Sequence, residues 1–388
     1  MAADPGSSTS CTACARLPPE EPAAIRWPAP VKADEWARDD RIRGALLGLA
    51  IGDALGSLAH AGKAQPVDPS PGSLATGGAT QLALFTAEGV IRMHVRFAAK
   101  GIGPAWGVMR HALDRWMVTQ GQEPNATFAW QPEAWPDGWL VRQHRLHRRV
   151  DGFGATVGAL GVQADTWEGM PDRRVATSLP NTSSGAGALV RVLGAGLVAM
   201  PKDATLVGSI AAAITHGGSD GYLSGGALAR LVAGLVAGAP IESARKAASA
   251  DLSRWAGSGP VRAALAGGGA IGPSSATRAL AAAMSYASFA VPDDPVTTIG
   301  RAIAVGGTAA GVVAGAVAGA RLGASAFPAG WLMATDVADL VEEIARACSA
   351  AHRAWVMGRV LPGYEQTPGI PFEEHPACAL FWPRFPGW

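Results

Sequence analysis

The sequence has few cysteines, few aromatic residues and almost no net charge. Four cysteines in 388 residues are too few for a disulfide scaffold. Cys11 and Cys14 are spaced as C-x-x-C, but no second pair of ligands follows at a spacing typical of a zinc site. We therefore expect free thiols in a reducing cytoplasm. Lys+Arg is 32 and Asp+Glu is 31, and this balance argues against nucleic acid or an acidic membrane as the partner.

Long runs of alternating apolar and polar residues are also missing, so β-structure should be minor. Hydrophobic residues make up 48% of the chain, and 50 glycines accompany only 6% aromatic residues. Helical periodicity broken by Gly and Pro predicts an all-α fold, a compact multi-helix single domain with irregular loops. The predicted helices lie at 41–56, 80–100, 104–119, 186–200, 203–214, 222–237, 240–256, 275–289, 306–322 and 335–357.

Composition divides the chain into three regions. Residues 1–38 are rich in Ser, Pro and Ala without a sustained period, which predicts a disordered or loosely attached tail. Residues 39–358 contain the predicted helices and should form the domain. Residues 359–388 are rich in Pro and aromatic side chains, and we expect this tail to pack on the domain. The N-terminus lacks a basic segment followed by an apolar one, so we expect no signal peptide and a cytoplasmic protein.

One uncharged stretch, Ile303 to Ala320, is long enough to be tested as a membrane span. It carries Gly307, Gly311, Gly315 and Gly319 at intervals of four, which is typical of closely packed helices. The stretch consists mainly of Gly, Ala and Val and has little of the Leu, Ile and Phe that favour insertion. We therefore predict a buried helix at the centre of a soluble bundle, and no membrane partner.

Six segments, taken in order, resemble the ADP-ribosylglycohydrolase family, the relatives of dinitrogenase reductase-activating glycohydrolase. The resemblance spans about residues 40 to 350 and implies a compact, mainly helical domain. The segments are Arg41–Gly56 (RIRGALLGLAIGDALG), Thr80–Arg92 (TQLALFTAEGVIR), Arg115–Gly121 (RWMVTQG), Ser184–Leu197, Ile214–Gly217 (ITHG), and Ala314–Gly323 followed by Phe327, Pro328 and Trp331.

This resemblance implies hydrolysis of the glycosidic bond to ADP-ribose, assisted by two magnesium ions. Magnesium prefers oxygen ligands, usually including carboxylates, and such an ion pair can activate water. The family takes these ligands from two motifs. One is Ser/Thr-Asp-Asp-Thr at the start of the second helix, and the other is Gly-Asp-x-Asp-Ser/Thr at the start of the late Gly/Ala-rich helix.

The chain departs from both motifs. The two aspartate positions of the first motif fall on Gly78 and Ala79, and those of the second fall on Gly306 and Thr308. A glutamate that many members place after the first helix falls on His60. The sequence therefore resembles a divergent member of the family that lacks the metal-binding aspartates.

Asp53 is the only acid retained from these motifs, and one carboxylate cannot neutralise two magnesium ions. We therefore expect no metal, no other cofactor and no catalytic residue. Structural roles are open for the retained polar residues, since Asp53 can bridge helix ends, Thr80 can cap its helix, and His216 can be a hydrogen-bonded structural histidine. The candidate ligand contacts are Asp53, Thr80, Ser184, Gly185, Gly187 and His216.

Two functions are compatible with these residues. The first is a catalytically inactive pseudo-hydrolase that binds an ADP-ribose-like or nucleotide-like ligand through backbone amides, or that binds a protein partner. The basic cluster at 142–149 would serve an anion or partner, or would simply be solvated and paired with local carboxylates. The alternative is an active hydrolase with metal-independent chemistry, in which Asp53 and either His60 or His216 form the acid and base pair.

Overall fold

The computed structural model describes residues 25–100, 105–122, 135–161, 179–267, 272–287, 294–356 and 380–386. These ranges contain thirteen α-helices and no strand beyond an isolated bridge between Leu74 and Thr335. The prediction of an all-α domain is therefore confirmed. The C-x-x-C cysteines and most of both predicted tails lie outside the described residues.

Turns, 3-10 helices and longer loops connect the helices along the described chain. In order they are α1 (Ala33–His60), α2 (Gly78–Lys100), α3 (Ala105–Thr119), α4 (Gly154–Leu160), α5 (Leu193–Val198), α6 (Pro201–Ala213), α7 (Ser219–Val236), α8 (Ile241–Leu252), α9 (Gly259–Ala266), α10 (Ser275–Ala287), α11 (Pro295–Leu322), α12 (Ala329–Ala334) and α13 (Ala338–Ala351).

Several boundaries differ from the predicted ones. Helix α1 begins at Ala33 rather than Arg41, so the boundary predicted after residue 38 falls inside a helix. The predicted helix at 186–200 is instead a 3-10 turn at Ala186–Ala188 followed by the short α5. The sequence does not predict α4, α9 and α12, because six to eight residues show too little periodicity to indicate a helix.

The centre of the fold is the contact between α1 and α11, which cross through glycines. Gly44 of α1 faces Gly319 of α11, and Gly48 faces Gly315. A Cβ atom placed on either member of these pairs would collide with the partner's backbone, so the two helices touch main chain to main chain. The predicted spacing of small residues thus marks a real helix–helix contact.

Both central helices are long and apolar enough to cross a membrane by length and composition alone. The core helix of a soluble protein passes the same test, and the apolar windows of α1 and α11 are 78% and 61% buried inside the bundle. In α11 every residue from Ala310 to Ala320 is buried, as expected for a core helix, whereas burial is interrupted in the N-terminal half. The N-terminal half begins at Pro295, eleven residues before the predicted start, and meets the other half at a kink at Gly307.

The two ends of the described chain pack together on the domain. Phe381 and Phe385 are buried, and the Trp27 ring lies 5.2 Å and 6.2 Å from their ring centroids. Residues just before α1 are therefore attached to the domain by aromatic contacts.

A buried cluster of charges links α2, α3 and the segment at 135–139. Arg92 donates to Glu88 and to Asp137, each at 2.8 Å, and Arg115 donates to the other oxygen of Asp137. Arg92 also donates to the carbonyl oxygen of Pro386 at 3.3 Å. Both guanidinium groups are fully buried, so Asp137 holds together elements that are far apart in the sequence.

Candidate functional site

Asp53 lies on the face of α1 that meets the start of α2. Its Oδ2 atom accepts hydrogen bonds from the backbone N–H of Gly77 and of Thr80, both at 2.8 Å, and from the Thr80 hydroxyl at 2.7 Å. Burial raises the pKa of Asp53, and these hydrogen bonds oppose the rise. The carboxylate therefore satisfies free N–H groups at the start of α2, which is a structural capping role.

Thr80 does not cap its own helix, contrary to the structural role considered for it. Helix α2 begins at Gly78, so Thr80 lies inside the first turn and donates to Asp53 instead. The reason is that the Asp53 carboxylate, on α1, accepts the hydrogen bonds that an N-cap residue of α2 would otherwise accept.

The space beside Gly78 is occupied by apolar side chains. A Cβ atom on Gly78 would lie 2.7 Å from Val150 Cγ2 and 2.9 Å from Phe153 Cδ2. The Phe153 ring is half-buried and packs edge-on against Trp116, with centroids 6.4 Å apart. Where the resemblance places an aspartate, this chain thus has a glycine covered by a valine and a phenylalanine.

The segment that carries these two side chains is held in place by α2 and by Gln120, the residue that follows α3. Gln81 of α2 donates to the carbonyl oxygen of Arg148 at 3.0 Å, and the N–H of Val150 donates to Gln120 at 3.0 Å. The same Gln81 accepts from Trp116 at 3.0 Å. We call residues 148–153 the covering segment. The sequence indicates at 122–154 only an irregular ordered stretch, and no signal in it points to Gly78.

Part of the basic cluster pairs with local carboxylates. Arg148 donates to Asp336 at 2.9 Å and to the carbonyl oxygen of Thr76, and Arg145 forms a two-pronged pair with Asp339. Asp336 in turn accepts from Thr76 at 2.8 Å. The contacts of Arg148 join the covering segment to the loops before α2 and α13, and the pair formed by Arg145 reaches the first turn of α13. Both favour the structural interpretation of these arginines.

The second pair of substituted positions lies at the kink of α11. Gly306 has no space for a side chain, because a Cβ atom there would lie 2.6 Å from Ala310 and 2.7 Å from Ala282. Thr308 packs on Gly56, where a Cβ atom would lie 2.5 Å from its methyl group. Gly56 is one turn beyond Asp53 on α1, so both sets of substituted positions border the same end of α1.

His60 lies at the exposed C-terminal end of α1. Helix α1 continues through Gly56, which was expected to end it, so His60 lies seven positions beyond Asp53 on one unbroken helix. That separation is roughly 10 Å along the axis. The arrangement does not support an acid and base pair between an exposed imidazole and a buried carboxylate.

His216 forms the second part of the candidate site. Its ring lies against the glycine-rich loop, where a Cβ atom on Gly185 or on Gly187 would be 3.1 Å from Nε2. The ring is 2% exposed, and burial together with the charge of Arg191 lowers the pKa of His216 to about 3. Both glycines are half-buried, so this edge of the ring faces a partly open gap.

Ser184 is positioned by the turn after α6. Its carbonyl oxygen accepts from the N–H of Ala276 at 3.3 Å, and its hydroxyl lies where a Cβ on Gly218 would collide with it. The neighbouring Ser183 accepts from the N–H of Gly218 at 2.8 Å. Gly218 has no room for a side chain, because a Cβ atom there would lie 2.7 Å from the carbonyl oxygen of Thr182 and 2.8 Å from that of Ser183.

The structure brings the six candidate residues into two groups. Asp53 and Thr80 contact each other, and Gly185 and Gly187 border His216, with Ser184 next in the loop. The Phe153 ring reaches both, since a Cβ atom on Gly187 would lie 3.8 Å from its Cδ1. This aromatic ring, which the motifs did not indicate, stands between the two halves of the site.

These residues do not fit a pair of magnesium ions. Within the described ranges no group of three or more His, Cys, Asp and Glu side chains could hold a metal. Gly78, Ala79 and Gly306 offer no side-chain oxygen, and Oδ2 of Asp53 already accepts three hydrogen bonds. We therefore derive no chemical step through a metal.

Restoring an acid at the first motif is expected to destabilise the protein. In Gly78→Asp the new side chain must displace Val150 and Phe153, and overpacking of this kind costs about 1–3 kcal/mol. Gly158→Asp is the matched control, since a Cβ atom there meets nothing within 4 Å, and its effect should stay within about 0.5 kcal/mol. Urea unfolding measures both, and equal midpoints would show that the covering segment moves aside freely.

Comparison with known proteins agrees with this fold. The family model described as ADP-ribosylglycohydrolase matches residues 34–357. A solved structure described as "ADP-ribosylglycohydrolase-related protein complex" is 24% identical, with a TM-score of 0.54, and the match covers 82% of this chain and 99% of that chain. The likeness to this solved structure shows that the two proteins share a fold. Among curated proteins no significant match was found. Since the family model covers most of its length, the chain belongs to the ADP-ribosylglycohydrolase family.

Proposed function

We propose that this protein is a catalytically inactive member of the family that binds an ADP-ribose-like ligand without magnesium. The observation that carries the proposal is the filling of the space beside Gly78 by Val150 and Phe153. A carboxylate cannot stand there beside a metal ion while these side chains remain in place. The one retained acid, Asp53, is engaged in holding the start of α2.

The second half of the site supports ligand binding. Gly185 and Gly187 leave a partly open gap, and the edge of His216 that carries Nε2 lies behind it. A neutral imidazole offers one donor, which suits a ligand rich in acceptor oxygens such as a ribose or a diphosphate. The half-buried Phe153 ring gives the gap an apolar wall.

Metal-independent hydrolysis has less support. Glycosidic hydrolysis without a metal needs an acid and a base that face each other across the bond. The Oδ2 atom of Asp53 is saturated by Gly77 and Thr80, while His216 is a buried, neutral group whose pKa of about 3 makes it a weak base.

Calorimetric titration of the full chain with ADP-ribose tests the proposal. We expect the same affinity with magnesium and with EDTA, and no release of ADP-ribose from an ADP-ribosylated arginine substrate in either buffer. Affinity that depends on magnesium would overturn the metal-free site. Substrate turnover in EDTA would establish the metal-independent hydrolase instead. Absence of binding in both buffers would overturn ligand binding and leave a protein-binding role.

A matched pair of variants localises the ligand to the gap. Gly187→Leu places a side chain over the His216 ring and should lower the affinity for ADP-ribose at least about tenfold, a loss equivalent to roughly 1.4 kcal/mol. Gly158→Leu changes a glycine with open space around it and should bind as the wild type does. Equal affinities of the two variants would place the ligand elsewhere.

A further inference from the structure

Three buried side chains beneath the glycine-rich loop form a chain of hydrogen bonds. The Thr215 hydroxyl contacts Nη2 of Arg191 on one side and Nδ1 of His216 on the other, the latter at 2.8 Å. Arg191 and Thr215 are fully buried, and His216 is nearly so. None of the three belongs to the substituted metal motifs, and only His216 enters the proposed ligand site directly.

Arg191 is held by carbonyl and hydroxyl oxygens rather than by an acid. Its Nη2 atom also donates to the carbonyl oxygen of Ala212 at 3.1 Å, near the C-terminal end of α6. Carbonyl groups at a helix C-terminus carry partial negative charge and stabilise a cation there. No ion pair to Arg191 occurs among the residues that the structure describes. Its position thus fixes the turn that follows α6.

The direction of each hydrogen bond follows from the chemistry of the groups. A guanidinium group only donates, so the Thr215 oxygen accepts from Arg191. The Thr215 hydroxyl proton is then free to be donated, and Nδ1 of His216 is the acceptor beside it. A proton on Nδ1 would instead leave the hydroxyl proton without an acceptor among the described residues, in a side chain with no exposure to water. His216 is therefore neutral, with its proton on Nε2.

The Nε2 atom is the part of His216 that faces the ligand gap. A Cβ atom on Gly185 or on Gly187 would lie 3.1 Å from it. Within the described residues Nε2 has no hydrogen-bond partner, although the side chain is 2% exposed. Nε2 is not among the fully enclosed polar atoms without a partner, so it keeps some access to solvent, and a ligand oxygen in the gap would serve as its acceptor.

We propose that Arg191 and Thr215 are positioning residues that hold His216 as a neutral Nε2–H donor for an acceptor oxygen of the bound ligand. The ligand part of this inference rests on the proposed function, while the position of the proton on the ring does not. The low pKa of His216 agrees with a ring that stays neutral at pH 7.

Nuclear magnetic resonance of the full chain labelled with 15N-histidine tests the position of the proton at pH 7. The resonances of His216 are assigned by their loss in His216→Gln. Long-range proton–nitrogen correlations are expected to show a protonated Nε2 and an unprotonated Nδ1. A proton on Nδ1, or a doubly protonated ring, would overturn the inference, and this result is obtained from the wild-type protein alone.

Two substitutions at one position separate positioning from packing. Thr215→Val keeps the shape but removes the hydroxyl, so we expect a mixture of the two ring tautomers and about 3–10-fold weaker binding of ADP-ribose. Thr215→Ser keeps the hydroxyl and should retain the wild-type tautomer, with affinity within about twofold. A wild-type tautomer and affinity in Thr215→Val would overturn the positioning role. If that variant does not fold, the position of the proton in the wild-type protein and the tautomer and affinity of Thr215→Ser still test the inference.

The outcomes distinguish this inference from the proposed function. A protonated Nε2 in a protein that does not bind ADP-ribose would contradict the proposed function and leave the hydrogen-bond chain intact. Binding of ADP-ribose with the proton on Nδ1 would contradict the hydrogen-bond chain and leave the proposed function intact.

Discussion

Gly315→Ala is expected to prevent the protein from folding stably. The added methyl group would collide with the carbonyl oxygen of Gly48 and lie 2.6 Å from its carbonyl carbon, while Ile299 Cδ1 is 3.2 Å away on another side. These obstacles include the backbone of a core helix, so no side-chain rotation can relieve the overlap. Overpacking by one methyl group costs about 1–3 kcal/mol where side chains can yield, and we expect more than about 3 kcal/mol here.

Solubility on expression and the urea midpoint measure this effect. The matched control is Gly158→Ala, at an exposed position of α4 where a Cβ atom meets nothing within 4 Å. It should be neutral or stabilising by about 0.5–1 kcal/mol, because glycine is unfavourable inside a helix. A Gly315→Ala protein with wild-type stability would mean that α1 and α11 do not touch through their backbones.

Asp137→Asn is expected to have the second largest effect. Among the described residues the substitution leaves Arg92 and Arg115 buried with Glu88 as their one remaining ion-pair partner. Removing one partner from a buried charge cluster costs about 3–5 kcal/mol, since an uncompensated charge remains out of water. Urea unfolding at pH 7 measures the loss. Asp339→Asn is the control, because its pair with Arg145 is exposed and should contribute less than about 1 kcal/mol.

The effect of Asp137→Asn should depend on pH in a defined direction. Burial acts to raise the pKa of Asp137, but the charges of Arg115 and Arg92 prevail and hold it well below its usual range. A carboxyl group whose pKa is lowered on folding stabilises the protein above its unfolded pKa, about 3.9, and loses this contribution as the pH falls further. The stability difference from wild type should therefore be constant from pH 8 to about 5 and shrink below about pH 4. A difference of under about 1 kcal/mol at pH 7 would contradict a buried ionic role.

The helical architecture was predictable because its signals are local. Periodic apolar residues and Gly or Pro breaks indicate helices such as α2 and α7 without reference to the rest of the chain. Glycines at intervals of four in α11 likewise predict a close helix contact. Short elements such as α4 were not predicted, because one or two helical turns show too little periodicity. The kink at Gly307 was not predicted either, because the sequence pattern around it is that of a continuous helix.

By itself the sequence determined the all-α class, the family resemblance and the absence of acids at Gly78 and Ala79, since each depends on residue identity at positions along one chain. Only the tertiary structure decided what replaces those acids. Phe153 reaches Gly78 because Gln81 and Gln120 hold the covering segment against α2. This segment is irregular, and its sequence shows no periodicity. Contacts between residues far apart in sequence depend on the path of the chain, and no local pattern encodes that path.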